Sequence, residues 1–324
     1  MNDHRPGCPV CHSNETIAAL ENCDFLFQTT TKSFTMYLCS NCGCGFLYPQ
    51  PDSNTLQEAY PEAYFWITKN DHSLTARLES LYRESVLKHH VYKTKSLIKA
   101  LPEKCKVLDI GCGSGTYLHL LQKKFNINAE GLEASRKAAQ NATKKYGLTI
   151  HHKSVEEAEF PPHSFDLITM FHVLEHLRNP GEILRKISKW LSKNGFLLLQ
   201  VPNIDSFQFN IFKKCWTGID IPRHLVNFTP QGIKLLLNES GFRVEKFMFF
   251  SLRDSAAAIV SSLFPAIDPV SLNIRGNIQF AFFKKFLYFT LLTLFQPFAL
   301  FEAMCGKGGI MFVVARVKQT KEEL

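Results

Sequence analysis

The stretch VLDIGCGSGTYL, Val107 to Leu118, constrains the fold of this chain more than any other. KVLDI is an apolar run of buried-strand length and GTYLHLLQKKF has helical spacing, so Gly111, Gly113 and Gly115 occupy a strand-to-helix turn. Such a turn bares backbone amides at a helix N-terminus and lets a ligand approach where a Cβ would stand. The lysine and hydroxyl of a mononucleotide loop, G-x-x-x-x-G-K-[ST], are absent, and the spacing G-x-G-x-G departs from the dinucleotide fingerprint G-x-G-x-x-G. Both phosphate readings are thereby disfavoured. A second short strand ends at Glu133, about 20 residues beyond the glycines, where an acid can accept hydrogen bonds from both hydroxyls of a ribose.

FDLITMF and GFLLLQV are further apolar strand candidates, with PGEILRKISKWL an amphipathic helix between them. This alternation builds a doubly wound parallel sheet, whose ligands bind at the carboxyl ends of the strands. Taken in order, VLDIGCGSGTYL, GLEAS, FDLITMFHVLEHLRNP and LSKNGFLLLQVPN resemble the class I S-adenosylmethionine-dependent methyltransferases, over about Lys104 to Phe250. The resemblance implies an α/β, Rossmann-like sheet whose last two strands, FRVEKFMFF and GIMFVVARV, pair antiparallel at its edge. It also implies that the loop from Gly111 to Gly115 wraps the amino-acid part of S-adenosylmethionine, a nucleoside sulfonium with no phosphate to neutralise. Asp109, Gly111 and Gly113 would lie by the methionine moiety, Glu133 would hold the ribose, and Ser154 and Val155 would border the adenine.

Six of the ten cysteines fall within the first 44 residues. Cys8-x-x-Cys11 and Cys39-x-x-Cys42 are two knuckles that together supply the four sulfurs of a tetrahedral zinc site. FLFQTTTKSFTMYL between them is β-prone, as the strands of a zinc ribbon are. A closed four-sulfur site has no open coordination position, so its zinc is expected to be structural.

Methyl transfer from a sulfonium is an in-line displacement, so the acceptor atom must be held close, aligned and, for a hydroxyl, at least partly deprotonated. FHVLEHLRNP offers His172, Glu175 and His176, and WTGIDIPRHLVNFTP offers Trp216, Asp220, Arg223 and His224. His224 stands in a long Pro-flanked loop of the kind that carries function, and is expected to act as the base. Alternatively, His172, Glu175 and His176 together with His224 bind a divalent cation that acidifies the acceptor hydroxyl. That set resembles metal-assisted O-methyltransferases of ubiquinone precursors or of RNA ends, whose helix carries Glu-x-x-Glu-His; here His172 takes the first acidic position. The loop CWTGIDIPRHL with the cysteine knuckles resembles bacterial methyltransferases of sugar and cell-surface polysaccharide pathways. Expected acceptors are therefore a small molecule, a sugar or a lipid-linked glycan, with a quinone precursor or RNA as the alternative and a non-catalytic cofactor-binding scaffold as the third reading.

The formal charge of +8 is spread along the chain rather than gathered into a basic run, and nucleic acid is the less favoured partner. The polar N-terminus reaches a cysteine before any apolar stretch, so no secretory segment is expected and the cytoplasm is the default compartment. The expected organisation is a zinc-ribbon-like module at 1–54, a helical connector at 55–103 and the cofactor-binding core at 104–250. A hydrophobic helical insertion at 251–304 and the last strand with its tail at 305–324 complete it. In the insertion, Lys284 and Lys285 precede an apolar run from Phe286 to Phe301, interrupted by Gln296 and Pro297. That run falls short of the roughly 20 residues a bilayer span needs. The expectation is a helix that covers its own core or a homodimer partner, or one that makes peripheral membrane contact through 284–301.

Overall fold

Two β-sheets organise the chain, and the smaller takes a strand from the region that serves the larger. The computed structural model describes residues 5–61, 74–275 and 280–318. The first four residues, part of the expected connector (62–73), part of the insertion (276–279) and the end of the tail (319–324) lie outside the described residues.

The N-terminal region contains β1 (Thr16–Asn22), β2 (Phe34–Cys39) and β3 (Gly45–Leu47), followed by helices α1 (Ser53–Ala59) and α2 (Leu74–Lys99). Sequence reading places strand structure throughout FLFQTTTKSFTMYL; instead β1 lies before it and only its end becomes β2. Asp24 explains the difference. Its buried carboxylate accepts hydrogen bonds from the backbone N–H groups of Phe27 and Thr29 and from the Thr29 hydroxyl, which folds the segment into a turn.

The core then alternates: β4 (Lys106–Ile110), α3 (Thr116–Phe125), β5 (Asn128–Leu132), α4 (Arg136–Tyr146), β6 (Thr149–His151), β7 (Phe165–Phe171), α5 (Pro180–Trp190) and β8 (Leu191–Pro202). Local chemistry sets the ends. Ser135 caps α4 through the Ala138 N–H, and Gly147 ends it in the left-handed conformation. After β8 come α6 (Phe207–Phe212), β9 (Val226–Asn227), α7 (Pro230–Glu239) and β10 (Phe242–Met248). The insertion supplies α8 (Ser255–Leu263), α9 (Pro269–Ile274) and α10 (Ala281–Met304), and β11 (Ile310–Val317) closes the fold.

The larger sheet has the order β10-β11-β8-β7-β4-β5-β6. Strands β4 to β8 are parallel, whereas β11 runs antiparallel to both β8 and β10, as expected for the last two strands. The chain builds outward from β4 to β6 and then returns to β7 on the other side of β4. This reversal is the topological switch point, the place at the strands' carboxyl ends where doubly wound sheets bind ligands.

The smaller sheet has the order β1-β2-β3-β9, so its fourth strand comes from the stretch after β8. Arg223, fully buried, fastens the two parts: its guanidinium meets Asp24 and Asp220 at 2.7 Å each, donates to the Ala59 carbonyl and lies over the Phe27 ring. A buried cation is tolerable only with such complete pairing. Thr229 caps α7 while its hydroxyl donates to the Cys42 carbonyl at 2.6 Å.

The insertion departs from expectation in one respect. Gln296 and Pro297 do not break the apolar run, and α10 continues through Pro297 for 24 residues. By length and composition it could cross a membrane.

Candidate active site

Gly111, Gly113 and Gly115 adopt φ of +72°, +52° and +71°, the left-handed region that side chains disfavour. A Cβ on Gly111 would stand 2.5 Å from Val173 Cγ2, and one on Gly115 would strike Leu148 and Ala142, whereas one on Gly113 would meet nothing. The loop is thus packed on two sides and open at Gly113. Glu133, at the end of β5, faces it: Oε2 accepts from the Gly113 N–H and Oε1 from the Ser135 N–H, both at 2.8 Å. Each oxygen retains a second lone pair for a ligand hydroxyl.

Asp109 lies behind this loop, 4% exposed, with the Thr169 hydroxyl donating to it at 2.6 Å. Burial pushes its carboxyl up to about 7, against the Thr169 bond and with help from the Glu133 charge. A buried acid so disposed favours a cationic ligand. Ser154 and buried Val155 follow β6, where Ser154 exchanges hydrogen bonds with Glu157.

The Val173 contact connects the glycine loop to the turn after β7. There Glu175 is fully buried; its Oε1 lies 3.0 Å from His172 Nδ1, while its Oε2 has no hydrogen-bond partner. His224 reaches the same place from the loop before β9, with Nε2 3.9 Å from Glu175 Oε1 and Nδ1 2.9 Å from the Gly218 carbonyl. His176 Nδ1 lies 3.0 Å from the Arg223 carbonyl and 2.8 Å from the Tyr60 hydroxyl. A carbonyl only accepts, so both imidazoles carry a proton on Nδ1 and leave Nε2 free of the backbone. Burial, with the neighbouring His224, lowers His176 to about 4, so this ring is neutral at physiological pH.

One ligand atom from each of Glu175, His176 and His224 falls within 4.8 Å of the others, a group able to hold a metal ion. His172 is outside that group. It takes φ +56°, and although burial opposes its charge, the nearby Asp254 carboxylate at 3.7 Å and the bonded Glu175 carboxylate raise it to about 9. Gln200 Nε2 lies 2.6 Å from Asp254 and 3.0 Å from His172, and Gln200 Oε1 lies 2.7 Å from His90. Of the second cluster, Trp216 and Arg223 are fully buried, the first bonded to Gln208 and the second paired with Asp24 and Asp220. Asp254, Gln200, Tyr60 and Asp24 were not singled out by sequence reading. No local motif marks them, because each acts on a residue more than 50 positions away.

Cys8, Cys11, Cys39 and Cys42 also converge, with Sγ atoms 3.6 Å apart for Cys8 and Cys42 and 3.5 Å for Cys11 and Cys39. Four sulfurs at such spacing suit a tetrahedral ion with bonds of about 2.3 Å, and this group could hold zinc.

The methyltransferase-domain family matches residues 82–246, about half of the chain. The chain belongs to that family. Its fold and family are those of the class I S-adenosylmethionine-dependent methyltransferases. Among curated relatives, a ubiquinone biosynthesis O-methyltransferase of Neisseria meningitidis serogroup A is 25% identical over 134 residues, 39% of this chain and 54% of that protein. The mitochondrial ubiquinone biosynthesis O-methyltransferase of Candida albicans is 30% identical over 142 residues, 40% of each chain. This chain therefore spans about half, or less, of the length of the curated relatives it matches. A solved coclaurine N-methyltransferase covers 82% of this chain and 81% of its own, at 14% identity and a TM-score of 0.49.

Proposed function

We propose that this methyltransferase moves a methyl group from S-adenosylmethionine to a hydroxyl of a small-molecule acceptor, with Glu175, His176 and His224 holding a divalent cation beside it. The observation that carries the reading is the donor set: two imidazoles tethered through Nδ1 to backbone carbonyls beside a buried carboxylate oxygen with no partner. Outer-shell bonds of this kind orient histidines as metal ligands. Such a cation would lower the pKa of the acceptor hydroxyl.

The chain's own residues do the rest. The glycine loop admits the amino-acid end of the cofactor at Gly113, Asp109 offers a carboxylate behind it, and Glu133 accepts from the ribose hydroxyls. The loop bearing His224 is held in register by β9 pairing with β3 and by the Arg223 to Asp24 bridge, so the cysteine region positions the acceptor side. We assign a structural zinc to that cysteine group. The names of the curated relatives, ubiquinone biosynthesis O-methyltransferases, favour a quinone precursor over a sugar as acceptor.

A second reading, His224 as a metal-free base acting through Nε2, draws on the same tether of Nδ1 to the Gly218 carbonyl. Release of S-adenosylhomocysteine, followed with a panel of catechols and sugars, tests the reaction. Loss of turnover on chelation and recovery with added magnesium or manganese would select the cation reading; resistance to chelation would select the base. Absence of release with every hydroxyl acceptor would refute O-methylation.

A further inference from the structure

We infer that the outward face of α10 docks this chain flat onto an anionic lipid bilayer. The helix buries one stripe, Tyr288, Leu292, Ala299 and Glu302, with the apolar members packed in a cluster with α8. Phe282, Phe283, Phe286, Leu294, Phe301 and Met304 are each more than half exposed. Thr290 and Thr293, also exposed, turn their hydroxyls back onto the carbonyls of Phe286 and Phe289 at 3.0 and 3.2 Å, so their donors are spent within the helix. A helix apolar on nearly all sides and covered on one stripe requires a second apolar environment.

Charge identifies the occupant. Lys284 and Lys285 stand in the first turns, half-buried and on the same side of the helix as Tyr288 and Leu292, opposite Phe283 and Phe286. The helix has one acid, Glu302, which is buried and receives hydrogen bonds from Gln208 and from the Gly309 N–H. The outward face is thus apolar with no exposed acid, and the two cations lie on the side of the helix away from it, at the level lipid phosphates would take above an inserted apolar face, the pattern of an interfacial helix.

Its ends also decide how it lies. Although long and apolar enough to cross, α10 is tied to the fold at Glu302, and it runs into β11, which sits between β10 and β8. Midway, Gln296 donates to the Leu252 carbonyl at 3.0 Å. A helix so fastened along its inner stripe rests parallel to the surface. Behind it, α8 bonds the acceptor loop, with the Thr217 N–H donating to Ser262 Oγ and the Thr217 hydroxyl to the Ala258 carbonyl. The acceptor loop therefore stands one helix behind the docking face, a placement suited to an amphiphilic acceptor. That consequence rests on the methyl-transfer reading; the docking itself does not.

Flotation of the full-length protein with phosphatidylcholine vesicles, with and without about 30% phosphatidylglycerol, tests the inference. The protein should float with the anionic vesicles and be released by salt. Phe283→Glu/Phe286→Glu and Lys284→Glu/Lys285→Glu should each lower the bound fraction about tenfold, and Phe283→Glu/Phe286→Glu should leave the melting temperature unchanged because both side chains are exposed. Recovery in the soluble fraction regardless of vesicles would overturn the inference, as would unchanged flotation of both variants. So would a wild type that ignores vesicles but forms a dimer lost in Phe283→Glu/Phe286→Glu, since the face would then belong to a second copy. Failure to methylate a chosen acceptor leaves the flotation result intact, so the two readings fail separately.

Discussion

The cysteine group and the Glu175, His176 and His224 group both gather donors within reach of one ion, yet they are built in opposite ways. The four sulfurs come from two short turns of one small sheet, and together they complete a tetrahedron. The second group joins the turn after β7 to a loop almost 50 residues later, and offers three donors. A closed set stabilises; an incomplete set leaves positions for an acceptor. The two are also coupled, because Thr229 bonds the Cys42 carbonyl and β9 pairs with β3 close to His224.

Metal removal separates them most sharply. Cys39→Ala should cost on the order of 5 kcal/mol of folding stability, read by urea unfolding, and should abolish bound zinc. Less than about half an equivalent of zinc in the wild type would end the structural assignment. Because of the β3 to β9 pairing, any folded Cys39→Ala should lose turnover while still binding cofactor.

Next in size, Glu175→Gln and His224→Ala should each lower turnover by about 10²- to 10⁴-fold with cofactor affinity nearly unchanged. Equal loss in both, with chelator sensitivity, sharpens the contrast between an open and a closed site. A normal Glu175→Gln enzyme would break it, leaving His224 as a lone base.

Glu133→Ala should weaken S-adenosylmethionine binding by about 3 kcal/mol, roughly a hundredfold, by calorimetry. Equal affinity would remove Glu133 from the cofactor site. This variant should leave zinc content untouched, which distinguishes cofactor loss from disruption of the cysteine group.

The smallest effect concerns Asp109. Burial raises its folded value from 3.8 to about 7, so the folded chain without cofactor holds a proton that the unfolded chain has released. Stability contributed by this group therefore falls as pH rises through that window. Asp109→Asn, which can still accept from Thr169, should gain about 2 kcal/mol relative to wild type between about pH 5 and pH 7. A constant difference across that range would show that Asp109 is not raised.

Both donor groups left traces in the sequence, to different depths. Paired cysteines at fixed spacing announce their chemistry because each knuckle is a local turn. The glycine loop is equally local: its three positive-φ positions follow from a strand meeting a helix within a few residues. His172, Glu175, His176 and His224 could be named as candidates from their loops, but not sorted. His172 pairs with Asp254, contributed by the insertion, and is thereby drawn out of the donor set. The strand misplaced between the cysteine pairs has a similar cause, since alternation cannot report that Asp24 will be needed for Arg223, 199 residues away.

Local periodicity and spacing determined the parallel core, the antiparallel edge, the glycine loop and the cysteine knuckles, because those features depend on neighbours within a turn or a strand. Only the tertiary structure decided which imidazole nitrogens are tied to backbone carbonyls, that Glu175 Oε2 is left without a partner and that α10 runs unbroken past Pro297. These depend on burial and on hydrogen bonds between distant segments, where the cost of an unpaired polar group is set by what folds around it.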